Sequence, residues 1–287
     1  MKHASARASQ PPPGRRAYWR PSWRALAALA ALALCWCAGA AHAACSRPIK
    51  VPVSPAGGDL AINSENQAHG IGADMLASVT NRTGCQFEFV SVPRVRGLEM
   101  FRAGAVDLLT SVVQTAERDE IGEFVAFTSS RVAAIGMRKS LPAGGAPDDK
   151  LSGSYLVNVV RGYDYGPAYR TLLQSLRAQH RLEEVTDPLT AARKLAMGRA
   201  GVILIAPGAF IEAAERAAIT AEVQAFPLAS IPPFLSGVYV SRGALGEADR
   251  AALATSLRER EVRQKYWAAV VASRLPAWVL AGAKMVD

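Results

Sequence analysis

The chain has 287 residues, half of them hydrophobic, with 33 Lys and Arg against 24 Asp and Glu and a formal net charge of +9. Six of those bases lie in residues 1–24, which contain no acid, so the chain without its first 43 residues stands near +3. That balance is an ordinary soluble surface rather than a nucleic-acid footprint, and residues 44–287 exceed one small domain and suit two compact lobes.

The N-terminus reads as a secretory signal over residues 1–43. A basic start leads into the apolar run Ala25 to Leu34, and Ala41-His42-Ala43 offers the small-x-small pattern of a signal peptidase site. The apolar run is well short of the ~20 residues that span a bilayer, which weighs against a retained anchor. Arg15-Arg16 loosely matches a twin-arginine signal, but paired arginines are common in basic leaders and the ordinary export route is expected. Cys35, Cys37 and Cys45 lack a lipobox, since His42 stands where a large aliphatic residue should precede Cys45. The expected mature protein is therefore periplasmic, soluble and not lipidated. It keeps Cys45 and Cys85, which precede the first and second predicted strands; a disulfide and two free thiols both stay open at this point.

Strand and helix alternate from there. Ile49 to Val53 is the first strand, and Gly70 to Thr83 a helix carrying Ile71, Met75, Leu76 and Val79 at helical spacing before the stop at Gly84. Phe87 to Val92 is a strand, Leu98 and Phe101 mark a short helix closed by Gly104, and Val106 to Leu109 is the next strand. A β-α-β-α-β run implies a parallel sheet covered by helices. Val132 to Arg138 is a crossing strand and Leu141 to Asp149 a loop. Tyr155 to Val160 is a strand, and Pro167 to Gln179 a helix with Leu172, Leu173 and Leu176 inward. Ala191 to Met197 is another helix, and Val202 to Ala206 is apolar enough for the centre of a second sheet. Gly237 to Ser241 is the return strand, with final helices from about Glu247 packed on the first lobe. The expected division is a first lobe over 44–138, a second over 139–236, and a return to the first over 237–287.

The most informative stretch is Gly104 to Arg118, Gly-Ala-Val-Asp-Leu-Leu-Thr-Ser-Val-Val-Gln-Thr-Ala-Glu-Arg. It places two hydroxyls near the end of a strand, where open α/β sheets hold their ligands, and then an arginine whose planar fork fits a carboxylate. Together with Ile49 to Val53, the Gly70, Asp74, Met75, Leu76 helix start and the aromatic stretch Phe124 to Phe127, it resembles the periplasmic solute-binding proteins of the polar amino-acid type, family 3 of the extracellular solute-binding proteins, over about Ile49 to Trp267. The resemblance implies an α/β fold of type II, with two lobes of mainly parallel sheet covered by helices and joined by two hinge strands. It also implies that the ligand closes the lobes and that the closed form is delivered to the permease of an ATP-driven ABC importer. The binding protein itself is expected to be a monomer.

By the same resemblance Arg118 clamps the ligand carboxylate and Thr110 and Ser111 donate beside it. The alternative for Arg118 is a surface arginine paired with Glu117 or Asp119. Asp107 reads as structural. Arg94 and Arg96 flank the turn at Pro93; Arg94 is a candidate for the cleft and Arg96 an ordinary exposed residue. In the second lobe, Arg161-Gly162-Tyr163-Asp164-Tyr165-Gly166 leads into a helix N-terminus, an anion-facing position. Tyr163 and Asp164 replace the family's small hydroxyl residues there, and Asp164 either meets the ligand or caps its helix. The family's second-lobe ammonium partner is missing, because the chain reads Leu204-Ile205-Ala206-Pro207-Gly208 at its place. Either Asp164 takes the ammonium or the ligand is not an α-amino acid.

Periplasmic relatives of this fold include dehydratases of small carboxylic acids, but the chain beyond residue 43 has just two histidines, His69 and His180, neither in a catalytic motif. It has no Gly-x-Ser-x-Gly, no zinc-type spacing and no phosphate loop, so no catalytic residue, metal or cofactor is expected. A free-standing sensor for a membrane kinase uses the same closure and stays an alternative to import.

Overall fold

The computed structural model describes residues 45–55, 59–141, 147–272, 276–280 and 282–286. The expected export signal lies outside the described residues, as does most of the loop expected over 141–149, which resumes as a 3-10 turn at Pro147–Leu151. Among the described residues no helix is long and apolar enough to cross a membrane.

β1 (Ile49–Val53) buries alternate residues, Ile49, Val51 and Val53. A small hairpin of β2 (Ala61–Ile62) and β3 (Ala68–His69) follows, then α1 (Ile71–Thr83), which turns Met75, Leu76 and Val79 inward. Gly84 closes that helix with φ 72°, a left-handed value that costs glycine nothing. β4 (Phe87–Ser91) lies parallel to β1, with Ile49 opposite Phe87. Next come α2 (Arg94–Arg102), β5 (Leu108–Val113), the short α3 (Ala116–Ile121) and the nine-residue β6 (Gly122–Ser130).

Arg131 and Val132 alone separate β6 from β7 (Ala133–Met137), which belongs to a different sheet. That sheet is completed by β8 (Val157–Val160), α4 (Pro167–Ala178), β9 (Leu182–Val185), α5 (Pro188–Ala196), β10 (Val202–Ile205), α6 (Ile211–Arg216) and β11 (Val223–Pro227). The chain then recrosses into β12 (Phe234–Ser241), followed by α7 (Glu247–Arg258), α8 (Arg260–Ala272) and β13 (Lys284–Met285). The strand orders are β13-β6-β12-β5 on the first side, next to the β1-β4 pair, and β11-β7-β10-β8-β9 on the second.

Two lobes and two crossings match the expected architecture; the sheets are mixed rather than mainly parallel, with β5, β12, β6 and β13 antiparallel throughout, and the lobe boundaries differ in two details. The division at residue 138 assigns β7 to the first lobe, whereas β7 pairs with β10 and β11 of the second sheet and is buried along its whole length. The division at 236 likewise cuts β12, which already pairs with β6 at Phe234 and Ser130. Parallel ladders join β1 to β4 and run through β10, β8 and β9. The strands at the crossings are antiparallel, because β6 leaves the first lobe and β12 returns to it side by side.

Each lobe has its own core. Ile49, Val51, Met75, Val79, Leu108, Leu253 and Leu257 fill the first, where α7 and α8 pack on α1. Ile135, Val160, Leu195, Ile203 and Phe210 fill one side of the second sheet. On its other side Val157, Tyr165, Tyr169 and Leu204 meet Val113 and Phe234 from the first-lobe strands, so the lobes share apolar contacts at the crossing.

Cys45 and Cys85 form a disulfide with Cα atoms 4.7 Å apart, which ties the residues just before β1 and β4 across 40 positions of sequence. Closing a loop of that size removes unfolded-state entropy and stabilises by about 2–4 kcal/mol. Replacing both cysteines with serine should lower the midpoint of thermal unfolding by roughly 4–16 °C for a chain of this size. An unchanged midpoint under oxidising conditions would mean that the bond carries no stability.

Candidate functional site

The site begins with a departure from regular pairing in β5. The ladder between β5 and β12 runs Leu108 to Val240 and Leu109 to Tyr239, then shifts register before Val112 meets Gly237. Thr110 and Ser111 together face the single Val238, one residue more than the regular ladder needs. Ser111 has φ 54°, a left-handed conformation that costs a non-glycine residue about 1–3 kcal/mol and recurs at ligand sites. The strand was expected at Val106 to Leu109. It runs from Leu108 to Val113 instead, and its later end puts both hydroxyls inside β5. On β12, Gly237 is required by the close approach of β6, since a Cβ there would sit 2.0 Å from the Val125 carbonyl oxygen.

Ser111 is held in two directions. Its hydroxyl donates to Asp59 Oδ1, and its carbonyl accepts from Arg94 Nη2 at 3.4 Å. Asp59 Oδ2 in turn accepts from Tyr266 of α8 at 2.8 Å. After the strand, Thr115 caps α3 by accepting from the Arg118 amide, and the Arg118 side chain folds back so that Nη1 donates to the Val113 carbonyl at 2.6 Å. Tyr239 braces the same turn by donating to Asp119 Oδ1 at 2.7 Å.

All six residues expected to meet a ligand, Arg94, Thr110, Ser111, Arg118, Tyr163 and Asp164, line one cavity of about 390 Å³ between the lobes. That volume lies in the range of small-molecule sites. Arg118 is 7 % exposed, so the reading of it as a paired surface arginine fails; Glu117 pairs with Arg102 and Asp119 with Tyr239. Burial, and then the nearby Arg94 charge, pull the Arg118 guanidinium below its ordinary value. A guanidinium does not give up its proton in a protein, so a buried cation with a second one nearby favours an anion beside it. Arg94 stacks over the Tyr163 ring at 4.5 Å to the centroid, and its buried Nε has no partner among the described residues.

Asp164 does not cap α4. The N-cap is Gly166, without a side-chain bond, while Asp164 accepts from the Gly166 amide at 2.9 Å and from Arg170 at 2.5 Å. Each of its oxygens already accepts one bond, and Arg170 offsets part of its charge. Arg96 is exposed and pairs with Glu99 at 3.3 Å, away from the cavity. Asp107 is structural, 1 % exposed and bound to Arg47 and the Lys50 amide. His69 and His180 do not line the cavity.

Sequence reasoning missed Asp59, Tyr266 and Trp267, as well as Glu212 of α6, all of which line the cavity. Asp59 follows a Gly-Gly pair in the segment after β1, an unremarkable turn pattern. Among the described residues no group of three or more His, Cys, Asp or Glu gathers as a metal site.

Solved structures share this fold at low identity. A histidine kinase sensor domain with similarity to periplasmic binding proteins superposes with a TM-score of 0.62 at 19 % identity, covering 85 % of this chain and 98 % of that one. The arginine-, lysine-, histidine-binding protein ArtJ from Geobacillus stearothermophilus gives 0.64 at 13 % identity, covering 80 % and 97 %. An amino acid ABC transporter substrate-binding protein from Streptococcus pneumoniae, bound to L-arginine, gives 0.63 at 15 % identity, covering 78 % and 92 %. A search of curated protein sequences found no match. The likenesses at these identities concern the fold. The sequence itself matches the model of the bacterial extracellular solute-binding proteins, family 3, over residues 55–257, and the chain belongs to that family.

Proposed function

We propose that the protein is exported by its N-terminal signal, captures a small carboxylate-bearing solute between its lobes, and delivers it unchanged to the permease of an ATP-driven importer. The observation that carries this reading is the Arg118 guanidinium, buried beside Arg94 with one nitrogen tied to Val113, in a cavity that also holds Thr110 and Ser111. Two lobes joined by two strands favour closure around a ligand that touches both, and a membrane partner can read the closed state. Binding without turnover fits a cavity that neither histidine lines and whose acids Asp59 and Asp164 already accept hydrogen bonds or ion pairs.

A thermal-shift screen tests the anion requirement. Amino acids and their 2-oxo analogues should raise the unfolding midpoint, by roughly 5–11 °C at 100 times the dissociation constant, while the corresponding amides should not. Equal shifts with acids and amides would sink the carboxylate reading.

Sensing for a membrane kinase is a second reading, since a histidine kinase sensor domain shares this fold as fully as the binding proteins do. A strain lacking the protein should lose uptake of the labelled ligand if import is its task. Retained uptake with a lost transcriptional response would favour sensing.

A further inference from the structure

Part of the cavity wall between the lobes is built from the C-terminal part of the chain. After α8, residues 276–280 cross to the second lobe, where Trp278 Nε1 donates to the Thr220 carbonyl at 3.4 Å and the indole lies 6.4 Å from the Phe210 ring. Residues 282–286 then return to the first lobe. There β13 pairs with Ser129 and Thr128 of β6, the Val286 amide donates to Phe127 at 3.1 Å, and Arg263 donates to the Val286 carbonyl at 3.2 Å. The segment is thus a strap fastened to both lobes. Its Val279, Leu280 and Ala283 line the cavity beside Trp267 and Val270 of α8, and Val279 is only 3 % exposed.

The acids around the same cavity are already engaged. Asp59 accepts from Ser111 and Tyr266, Asp164 from Arg170 and the Gly166 amide, and Glu212 lies 3.6 Å from Arg216. A ligand with a cationic side chain would have to share acids that already accept from other donors, and a second carboxylate placed on Leu280, Val279 or Val270 would lie against aliphatic carbon. Charge desolvated against aliphatic carbon is costly, whereas apolar surface placed there is favoured in proportion to its area.

We propose that the strap and α8 form a selectivity wall, and that the ligand is a carboxylate with a compact apolar body, branched aliphatic or aromatic. This rests on the solute-binding reading above and narrows its ligand class. The carboxylate meets Arg118 and Arg94, and the body lies against Trp267, Val270, Val279 and Leu280. Because the strap touches both lobes, the residues that select the body also take part in closure.

Calorimetric titration of the exported protein with leucine, phenylalanine, 4-methyl-2-oxopentanoate, phenylpyruvate, arginine and glutamate tests this. At least one of the first four should bind about tenfold or more tightly than arginine and glutamate, a ratio that one or two buried methylenes supply. Leu280→Asp should weaken the best apolar ligand by about tenfold or more, and Leu280→Met should keep most of the affinity. If the aspartate variant is not folded by its melting curve, Trp267→Ala replaces it, with a loss of the same order expected. Tighter binding of arginine or glutamate would overturn the selectivity wall while leaving solute binding in place. Full affinity for the apolar ligand in both Leu280→Asp and Trp267→Ala would also overturn it. Binding of none of the six would overturn the wall, and the thermal-shift screen of acids against amides then decides the solute-binding reading separately.

Discussion

Arg118→Ala is expected to weaken carboxylate binding by about 2–5 kcal/mol, or roughly thirtyfold to several thousandfold, while leaving the unliganded protein folded. The size follows from where the charge sits. The guanidinium is 7 % exposed, close enough to Arg94 for their charges to oppose each other, and one of its nitrogens is fixed by the Val113 carbonyl at 2.6 Å. An arriving carboxylate therefore meets a fork that is already oriented and desolvated, which is the geometry in which a charge-assisted pair contributes most. The unliganded protein loses the Val113 bond in the variant but also sheds a buried charge that Arg94 opposes, so its melting point should move little. Arg118→Lys should restore little of the affinity, because an ammonium has no planar fork and cannot hold both the Val113 carbonyl and a bidentate ligand. Arg94→Ala should cost less, since that side chain is half-buried and stacked on Tyr163. The measurement is the dissociation constant of the best carboxylate from the thermal-shift screen in all four proteins. Equal constants for the wild type and Arg118→Ala would remove Arg118 from the site.

The parts of this site that sequence made legible are those built within a short stretch of chain. Thr110, Ser111 and Arg118 share one segment whose order is read directly, and Tyr163 with Asp164 sits in one strand-to-helix turn. What escaped is long-range. Asp59 reaches Ser111 across 52 positions and Tyr266 across 207, and neither partner carries a local pattern that announces the other. The left-handed Ser111 escaped for a different reason, since serine carries no signature of positive φ as glycine does. Among the elements, β10 was plain because Val-Ile-Leu-Ile is buried throughout, as a central strand should be. β9 and β11 lie at the two edges of the same sheet, and Leu-Glu-Glu-Val and Val-Gln-Ala-Phe-Pro mix exposed and buried residues without the alternation that marks a strand. α3 has six residues, too few for a hydrophobic period to register. The disulfide was left open by sequence and appears once β1 and β4 are seen to be neighbours.

The Arg47 and Asp107 pair predicts the largest loss of stability from a single side chain outside the site. Asp107 is 1 % exposed at the entry to β5, where Oδ2 accepts from Arg47 Nη1 at 2.6 Å and from the Lys50 amide at 2.8 Å, and Oδ1 accepts from Arg47 Nη2 at 2.8 Å. The Asp107 amide donates to the Lys50 carbonyl at 2.9 Å, so this residue stitches the start of β5 to β1. Arg47→Ala strands the buried carboxylate with one backbone donor. Breaking a buried pair from one side typically costs about 3–5 kcal/mol, and the low end applies because Arg47 is 43 % exposed and water can reach the vacated position. A loss of about 3 kcal/mol corresponds to a midpoint lowered by roughly 6–12 °C for a chain of this size. Asp107→Leu should cost less than Arg47→Ala, because it removes the buried charge and lets Arg47 turn to solvent, leaving the Lys50 amide as the main unsatisfied group. In the double variant the two losses should be less than additive, since the stranded carboxylate is gone. Thermal unfolding of the two single variants and the double one decides the matter. Additive losses would mean that the two side chains stabilise the strand entry independently and that the charge pairing itself contributes nothing.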